Sequence, residues 1–321
     1  MAELSYREAV AHGIAQEMHR DPNLVMLGED VGPAGGVFKT TVGLVDEFGP
    51  RRVRDTPISE QAILGAAMGA AMTGLRPVAE IMFSDFFAVC WDLVANEIAK
   101  SRYMSDGQVS FPLVIRAANG AGVRFGAQHS QSVENWAMAV PGLKVVAPSN
   151  PHDVIGLLAA AIRDPDPVVI FEPKLVYRTA RGDVPDGDYV VPLGQARIAR
   201  EGTDVTLISY GAMVNVCELA ADTADVSCEV VDIRSLRPLD EAAILASVAK
   251  TGRVVIVHEA PRTAGFGAEL AALIAEKAIF DLQGPVLRVT GYDVPYPYWT
   301  IEDAYMPSVE RVSAAIRRLT T

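Results

Sequence analysis

Cysteine and basic residues are scarce in this chain. Only three cysteines occur among 321 residues, Cys90, Cys217 and Cys228, and they form neither a Cys-x-x-Cys pair nor an even-numbered disulfide framework. They are typical of buried thiols in a reducing compartment. The 28 basic residues are outnumbered by 40 acidic ones, which gives a formal net charge of −12. Because such a surface repels phosphate backbones, we expect no nucleic-acid partner.

Long apolar runs are missing as well, although 50% of the residues are hydrophobic. No stretch reaches the length of about 18 apolar residues that a membrane-spanning helix needs. Residues 1–8 contain no apolar signal core. We therefore expect a soluble, cytoplasmic protein with a large buried core and no membrane association.

The motifs of several common enzyme classes are also absent. The glycine-rich segment 28–36 lacks the Gly-x-Gly-x-x-Gly pattern of a dinucleotide-binding turn, and Glu29 and Asp30 would repel a pyrophosphate. No Gly-x-Ser-x-Gly elbow of a serine hydrolase occurs. No His-x-x-x-His pair suits metal-dependent hydrolysis either.

Short apolar runs alternate with helical stretches, which is typical of βαβ units around a parallel sheet. The predicted strands are residues 24–27, 77–82, 113–116, 144–146, 168–171, 205–209, 228–232, 254–257 and 286–289. The predicted helices include residues 5–19, 59–72, 84–100, 133–139, 151–162, 240–250 and 268–277.

A polar segment rich in Gly, Pro and Asp, residues 178–188, separates two series of such units. The chain length also suggests about two domains. We predict an α/β fold with a parallel-sheet domain over residues 1–185, a linker over 186–202 and a smaller α/β domain over 203–321.

Glu60 is the first candidate for chemistry. It follows a turn-prone Thr-Pro pair and precedes an almost unbroken apolar run over residues 62–72. A carboxylate at the start of such a helix is poorly hydrated, so we expect a raised pKa that suits acid–base chemistry on a heterocycle. A first-turn carboxylate favoured by the helix dipole, with Ser59 as the cap, explains the same position.

His129 is the second candidate. It lies in the segment 128–131, directly after the glycine-rich loop 118–127, where glycines permit close backbone approach. A catalytic histidine and an ordinary surface or core histidine both fit this position. Arg124 in the same loop could attract a substrate carboxylate, although loop arginines are often solvated.

Ordered motifs across both halves of the chain resemble those of one family. These motifs are residues 28–32, 55–60, 74–80, 103–105, 128–131, 141–146, 171–174, 232–240 and 258–261. They resemble the β subunit of the thiamine-diphosphate-dependent E1 component of 2-oxo acid dehydrogenase complexes, over nearly the whole chain. The resemblance implies a transketolase-like fold, with a pyrimidine-binding parallel-sheet domain followed by a smaller transketolase C-terminal-type domain.

The resemblance also implies roles for individual residues. Glu60 would hydrogen-bond the pyrimidine N1′ of thiamine diphosphate and share a proton there. Phe86 would lie against the pyrimidine, and Glu29 and Ile58 would also bind the cofactor. Without the resemblance, Phe86 would be interpreted as an ordinary core aromatic. His129 would face the reacting carbon and assist with the substrate carboxylate and the lipoyl group.

A structural potassium ion, held mainly by backbone carbonyls, occurs in some members of this family. The matching positions are Leu113, Ala161, Ile162, Asp164 and Asp166. An ordinary helix-to-strand turn explains residues 163–167 equally well.

The family's Gly-Asp-Gly and paired-asparagine motif for the diphosphate and Mg²⁺ does not occur in this sequence. The resemblance therefore implies that a partner α subunit holds the diphosphate and Mg²⁺, in an α2β2 heterotetramer. A lipoyl acyltransferase, E2, would accept the acyl group. A transketolase-like ketol transferase and a non-catalytic structural subunit stay open as alternatives.

The substrate is the least determined part of the prediction. Residues 171–174 and 291–293 favour a branched-chain 2-oxo acid, whereas residues 128–131 and 201–204 occur as readily in pyruvate or acetoin enzymes. We rank a branched-chain 2-oxo acid first, pyruvate second and acetoin third.

Overall fold

Strands form three β-sheets in residues 2–321, the part of the chain that the computed structural model describes. The strands are β1 (Ala2–Ser5), β2 (Leu24–Gly28), β3 (Val53–Asp55), β4 (Arg76–Ile81), β5 (Val114–Asn119), β6 (Lys144–Val146), β7 (Val168–Pro173), β8 (Arg181–Val184), β9 (Arg197–Arg200), β10 (Val205–Ser209), β11 (Cys228–Asp232), β12 (Ser235–Arg237), β13 (Val254–Pro261) and β14 (Leu287–Gly291).

The α-helices lie between these strands and after the last of them. They are α1 (Tyr6–Arg20), α2 (Leu44–Phe48), α3 (Glu60–Met72), α4 (Phe87–Asp92), α5 (Ser101–Met104), α6 (Glu134–Met138), α7 (Pro151–Arg163), α8 (Val176–Thr179), α9 (Met213–Asp222), α10 (Glu241–Thr251), α11 (Phe266–Lys277), α12 (Glu302–Tyr305) and α13 (Val309–Thr320). No helix within residues 2–321 is both long and apolar enough to cross a membrane.

The first sheet has the strand order β12-β6-β7-β5-β4-β2-β3, and all of its strands except β12 are parallel. Its inner strands are buried on both faces. Val78 and Val114 pack into one hydrophobic core with α1 and α7, whereas their neighbours Ala79 and Ile115 pack into a second core with α3. This double burial explains why these strands are continuous apolar runs in the sequence.

The second sheet has the order β14-β13-β10-β11-β9, with only β9 antiparallel to its neighbour. Strand β12 leaves this half of the chain and pairs with β6 at the edge of the first sheet. The two halves are therefore joined by a shared sheet. The predicted α/β architecture is confirmed, and β6, β10 and β11 have the predicted bounds.

One local prediction was wrong, and one strand pair was not predicted. Residues 84–100 do not form one helix, because a 3-10 turn (Ser84–Phe86), α4 with a kink at Cys90, and a π-helical turn (Leu93–Ile98) follow one another. Within the polar segment 178–188, β8 pairs with the unpredicted β1.

A buried ion cluster ties the three central strands together. The Arg116 guanidinium on β5 donates to Glu80 on β4 at 2.8 Å and to both carboxylate oxygens of Glu172 on β7, at 2.6 and 2.8 Å. The Tyr177 hydroxyl donates to Glu172 at 2.8 Å. Arg116 is 1% exposed, so removing its charge would leave two carboxylates buried without a cation.

We expect Arg116→Met to lower the free energy of unfolding by about 3–5 kcal/mol, because Glu80 and Glu172 lose their counter-ion. Urea denaturation measures the change. The control is Arg200→Met, which removes the exposed ion pair between Arg200 and Asp222 and should cost less than about 1 kcal/mol. Equal losses in the two variants would contradict a stabilising role for the cluster.

Candidate active site

The candidate residues meet at the carboxyl edge of the first sheet. Glu29 follows β2, the segment leading to Glu60 follows β3, Phe86 follows β4 and the loop with His129 follows β5. The chain runs from β2 outward to β3 and then crosses back to β4 on the other side of β2. Such a switch in strand order opens a crevice at the carboxyl ends of the strands, the usual ligand site of a parallel sheet.

Glu60 is the first residue of α3 and is only 8% exposed. The capping hydrogen bond expected from Ser59 does not form. Within residues 2–321, no side-chain hydrogen bond or ion pair involves the Glu60 carboxylate. Buried polar groups nearly always have a hydrogen-bond partner. Since the described residues supply none to the Glu60 carboxylate, the carboxylate is free to bind a ligand.

The charge of Glu60 acts on its neighbours. Burial raises the pKa of Glu29, and Asp30 and Glu60 raise it further. Burial also raises the pKa of the Cys90 thiol to about 12, with Glu60 adding to the shift. The Cys90 thiol lies 3.6 Å from the Phe86 carbonyl oxygen, so Glu60, Cys90 and Phe86 share one neighbourhood.

Phe86 and His129 belong to one aromatic cluster. Their ring centroids lie 5.4 Å apart in an edge-on arrangement. Phe83 contacts both rings, at 4.7 Å from His129 and 6.0 Å from Phe86. The structure therefore brings Phe86 and His129 together, although they are 43 positions apart in the sequence (129 − 86).

Exposed apolar side chains lie before α3 and at its far end. Ile58, two positions before Glu60, is 76% exposed, and Met72 at the end of α3 is 59% exposed. Gly69 on the same helix faces open space, since nothing lies within 4 Å of its ideal Cβ position. The apolar run that precedes Met72 is thus only partly covered by this chain.

Sequence reasoning missed Lys174, which follows β7 at the same edge. It is 1% exposed, and its ammonium has no hydrogen-bond partner in residues 2–321. The ammonium lies 5.3 Å from the centroid of the Phe83 ring. Burial lowers the pKa of Lys174 to about 8, against the raising effect of Asp85, Glu259 and Glu302. Its position in the motif 171–174 was the available signal.

Arg124 has partners other than a substrate. Its guanidinium donates to the Trp299 carbonyl oxygen and to Asp303, both at 2.7 Å. Its backbone N–H donates to Glu302 at 3.0 Å. These contacts join Arg124 to the second half of the chain, and the attraction of a substrate carboxylate by Arg124 stays a prediction.

The segment expected to hold potassium lies at the opposite, amino edge of the sheet, where α7 leads into β7. The Lys144 ammonium lies 2.7 Å from both carboxylate oxygens of Asp164 and 3.3 Å from Asp166. Within residues 2–321, no hydrogen bond ends on the backbone carbonyl oxygens of Asp164 or Asp166. The carbonyl oxygens of Asp164 and Asp166 are thus unpaired in the described part of the chain, and carbonyl oxygens are ligands that suit a potassium ion.

Family comparisons agree with the fold. Residues 2–179 match the transketolase pyrimidine-binding domain, and residues 194–312 match the transketolase C-terminal domain. A solved chain named split-gene transketolase, inactive beta4 tetramer, has the same fold, with a TM-score of 0.81 and 24% identity over 99% of this chain and 98% of that chain. The chain thus has a transketolase-type fold.

Proteins of similar sequence show which family within this fold class the chain belongs to. The β subunit of 2-oxoisovalerate dehydrogenase from Bacillus subtilis is 46% identical, over 99% of both chains. The β subunit of acetoin:2,6-dichlorophenolindophenol oxidoreductase from the same species is 46% identical, over 96% of this chain and 95% of that one. The pyruvate dehydrogenase E1 β subunit of Acholeplasma laidlawii is 42% identical, over 99% and 98%. The chain belongs to the E1 β-subunit family of the thiamine-diphosphate-dependent 2-oxo acid dehydrogenases.

The pKa of Lys174 predicts a pH-dependent stability. Between its folded pKa of about 8 and the ordinary value of 10.5, the unfolded chain holds a proton that the folded chain lacks. The stability that Lys174 contributes is therefore fully present above its ordinary pKa. It is lost as the pH falls through the folded pKa. We expect the unfolding free energy of the wild type, relative to Lys174→Met, to rise between about pH 8 and pH 10.

Urea denaturation at several pH values measures this difference. The control is Lys277→Met, at a side chain that is 48% exposed. Its unfolding free energy should differ from that of the wild type by the same amount at every pH. A constant difference between the wild type and Lys174→Met across this range would refute the shift.

Proposed function

We propose that this chain is the β subunit of a heteromeric E1 component that oxidatively decarboxylates a 2-oxo acid and transfers the acyl group to the lipoyl group of an E2 acyltransferase. The observation that carries the proposal is the Glu60 carboxylate, which is nearly buried and has no side-chain partner within residues 2–321. It lies at the sheet edge that also holds Phe86 and His129. The family supports the cofactor, thiamine diphosphate.

The residues of the crevice suit the pyrimidine of this cofactor. When bound, thiamine diphosphate supplies an electron sink for decarboxylation. Glu60 would hold a proton at the pyrimidine N1′, where its poor hydration strengthens the hydrogen bond. Glu29 and Ile58 would line the ring, and Phe86 would contact its face. His129 would stand beside the reacting carbon, since its ring already packs on Phe83 and Phe86.

A partner α subunit would complete the site. The exposed Ile58 near the crevice and the exposed Met72 at the other end of α3 support such an interface, because large apolar side chains on one surface are normally covered. The sequence also lacks the family's diphosphate and Mg²⁺ motif. We propose an α2β2 heterotetramer in which the α subunit holds the diphosphate and Mg²⁺.

A potassium ion is proposed at the amino edge of the sheet. Its ligands would be backbone carbonyls among Leu113, Ala161, Ile162, Asp164 and Asp166. The unpaired carbonyls of Asp164 and Asp166 support this site. Lys144 and Arg102 would together balance the charge of the two carboxylates beside it.

A branched-chain 2-oxo acid is the proposed substrate, with pyruvate second and acetoin third. The motifs 171–174 and 291–293 support this order. The identities with the 2-oxoisovalerate and acetoin relatives are equal, at 46%, so overall similarity does not separate these two. Much of the substrate pocket would be formed by the α subunit.

We expect Glu60→Gln to abolish turnover while the variant still assembles with the α subunit. A neutral amide at this position cannot take part in proton sharing at N1′, and losses of this kind cost about 10²–10⁴-fold in rate. The assay is turnover by the reconstituted complex, measured as CO2 release from branched-chain 2-oxo acids and pyruvate, and as acetaldehyde release from acetoin. Branched-chain substrates should give the highest kcat/KM.

The matched control for this variant is Glu241→Gln, at an exposed glutamate on α10 in the second half of the chain. It should keep the wild-type rate. Near-normal decarboxylation by Glu60→Gln would remove Glu60 from the proposed role. A wild-type complex that turns over none of these substrates would reject the proposed function itself.

The isolated chain should bind thiamine diphosphate weakly or not at all, because the groups that hold the diphosphate lie on the α subunit. Calorimetric titration in the presence of Mg²⁺ measures the affinity with and without that subunit. Tight Mg²⁺-dependent binding by the isolated chain would show that the site is complete without a partner.

A further inference from the structure

The His129 loop, residues 120–131, is held by the second half of the chain. The Ala121 N–H donates to the Glu259 carboxylate at 2.9 Å, and the Arg124 N–H donates to the Glu302 carboxylate at 3.0 Å. Glu259 lies on β13 of the second sheet, and Glu302 begins α12. Two carboxylates more than 130 residues away in sequence thus bind the backbone of the loop that carries His129.

The loop conformation depends on these contacts. Arg124 has a φ of 63°, a left-handed value that costs free energy for a residue other than glycine. Its guanidinium is fixed by the Trp299 carbonyl oxygen and by Asp303. Such a strained residue persists only where its surroundings hold it in place.

Contacts connect this held segment with the imidazole. Phe125, the residue after Arg124, packs on Phe83 with ring centroids 5.9 Å apart. The His129 ring packs on the same Phe83 at 4.7 Å. The backbone N–H of His129 donates to the Gly126 carbonyl oxygen at 3.3 Å. A shift of Arg124 would therefore move the surface on which the imidazole rests.

The buried Lys174 ammonium stabilises the contacts of Glu302 and Glu259 with the loop. Glu302 is 2% exposed, and both Glu302 and Glu259 act electrostatically on the buried Lys174 ammonium. A carboxylate that accepts a backbone N–H beside a cation forms one of the stronger hydrogen bonds in proteins. These carboxylates are thus built into the interface between the halves.

We propose that Glu302 and Glu259 are positioning residues for His129, so that the second half of the chain sets the geometry of the active site in the first. The inference rests on the proposed function, in which His129 stands beside the reacting carbon. Neither carboxylate needs to touch the substrate. Their effect passes through the backbone of the His129 loop and through Phe125 and Phe83.

Glu302 offers the sharper test of the two. Burial raises the pKa of Glu259 to about 7 against the lowering effect of the Ala121 N–H, so substituting Glu259 changes an ionisation as well as a contact. Glu302→Ala removes the acceptor of the Arg124 N–H. Glu302→Gln retains an acceptor oxygen and serves as the rescue variant. Glu276→Ala, at an exposed glutamate on α11, is the matched control.

The experiment uses the complex with the α subunit and measures two quantities for each variant. The first is hydrogen–deuterium exchange of peptides that cover the His129 loop, with β10 as the reference. The second is kcat/KM for the preferred 2-oxo acid. For Glu302→Ala we expect loop exchange to accelerate about ten-fold or more. We expect kcat/KM to fall about ten- to hundred-fold, since small displacements of a reacting group cost that much.

The rescue and the control complete the expected result. Glu302→Gln should restore most of both quantities, and Glu276→Ala should match the wild type. Loop exchange that stays at the wild-type rate in Glu302→Ala would overturn the proposal, whatever the activity. Faster loop exchange with wild-type kcat/KM would overturn it too, because the contact would then not position His129.

Failure of the proposed function is distinguishable from failure of this inference. If the wild-type complex decarboxylates no 2-oxo acid, the proposed function fails. The exchange comparison is independent of turnover and still decides whether Glu302 holds the loop.

Discussion

Arg116 joins three adjacent strands of the first sheet in its buried interior. Its guanidinium pairs with Glu80 and Glu172, one on each neighbouring strand, and Tyr177 completes the cluster. A buried charge without a partner costs free energy, so the pairing in this cluster stabilises the arrangement of β4, β5 and β7. The loops that carry Phe86 and His129 leave the ends of β4 and β5, and Lys174 follows β7. The candidate site therefore inherits its geometry from the cluster.

Two kinds of buried carboxylate serve different ends in this chain. Glu172 is satisfied by a bidentate guanidinium and a hydroxyl, and its role is structural. Glu60 is almost as well shielded from solvent but has no side-chain partner within residues 2–321. A fold can bear the cost of such a group where a ligand supplies the missing hydrogen bond. The absence of a side-chain partner within residues 2–321 thus distinguishes Glu60, the proposed catalytic carboxylate, from the structural carboxylate of Glu172.

Local patterns in the sequence were sufficient for most of the inner strands and helices. Apolar runs predicted the inner strands because both faces of the sheet are covered. The role of Phe86 came from the family resemblance, and β3, which precedes the segment of Glu60, was not predicted. The broken helix over residues 84–100 escaped prediction, since its kink and π-helical turn have no signature in the apolar pattern. The contact between Arg124 and Glu302 joins residues 178 positions apart and follows only from tertiary packing.

Strand β12 has a consequence for how the chain reaches its native state. It covers β6, which would otherwise present unpaired backbone groups along one margin of a seven-stranded sheet. The opposite margin ends in β3, a strand of only 3 residues. A nascent chain that has emerged only as far as β8 would still expose the β6 margin to other chains. The β6 margin is therefore closed only when β12, which is synthesised later, docks onto it.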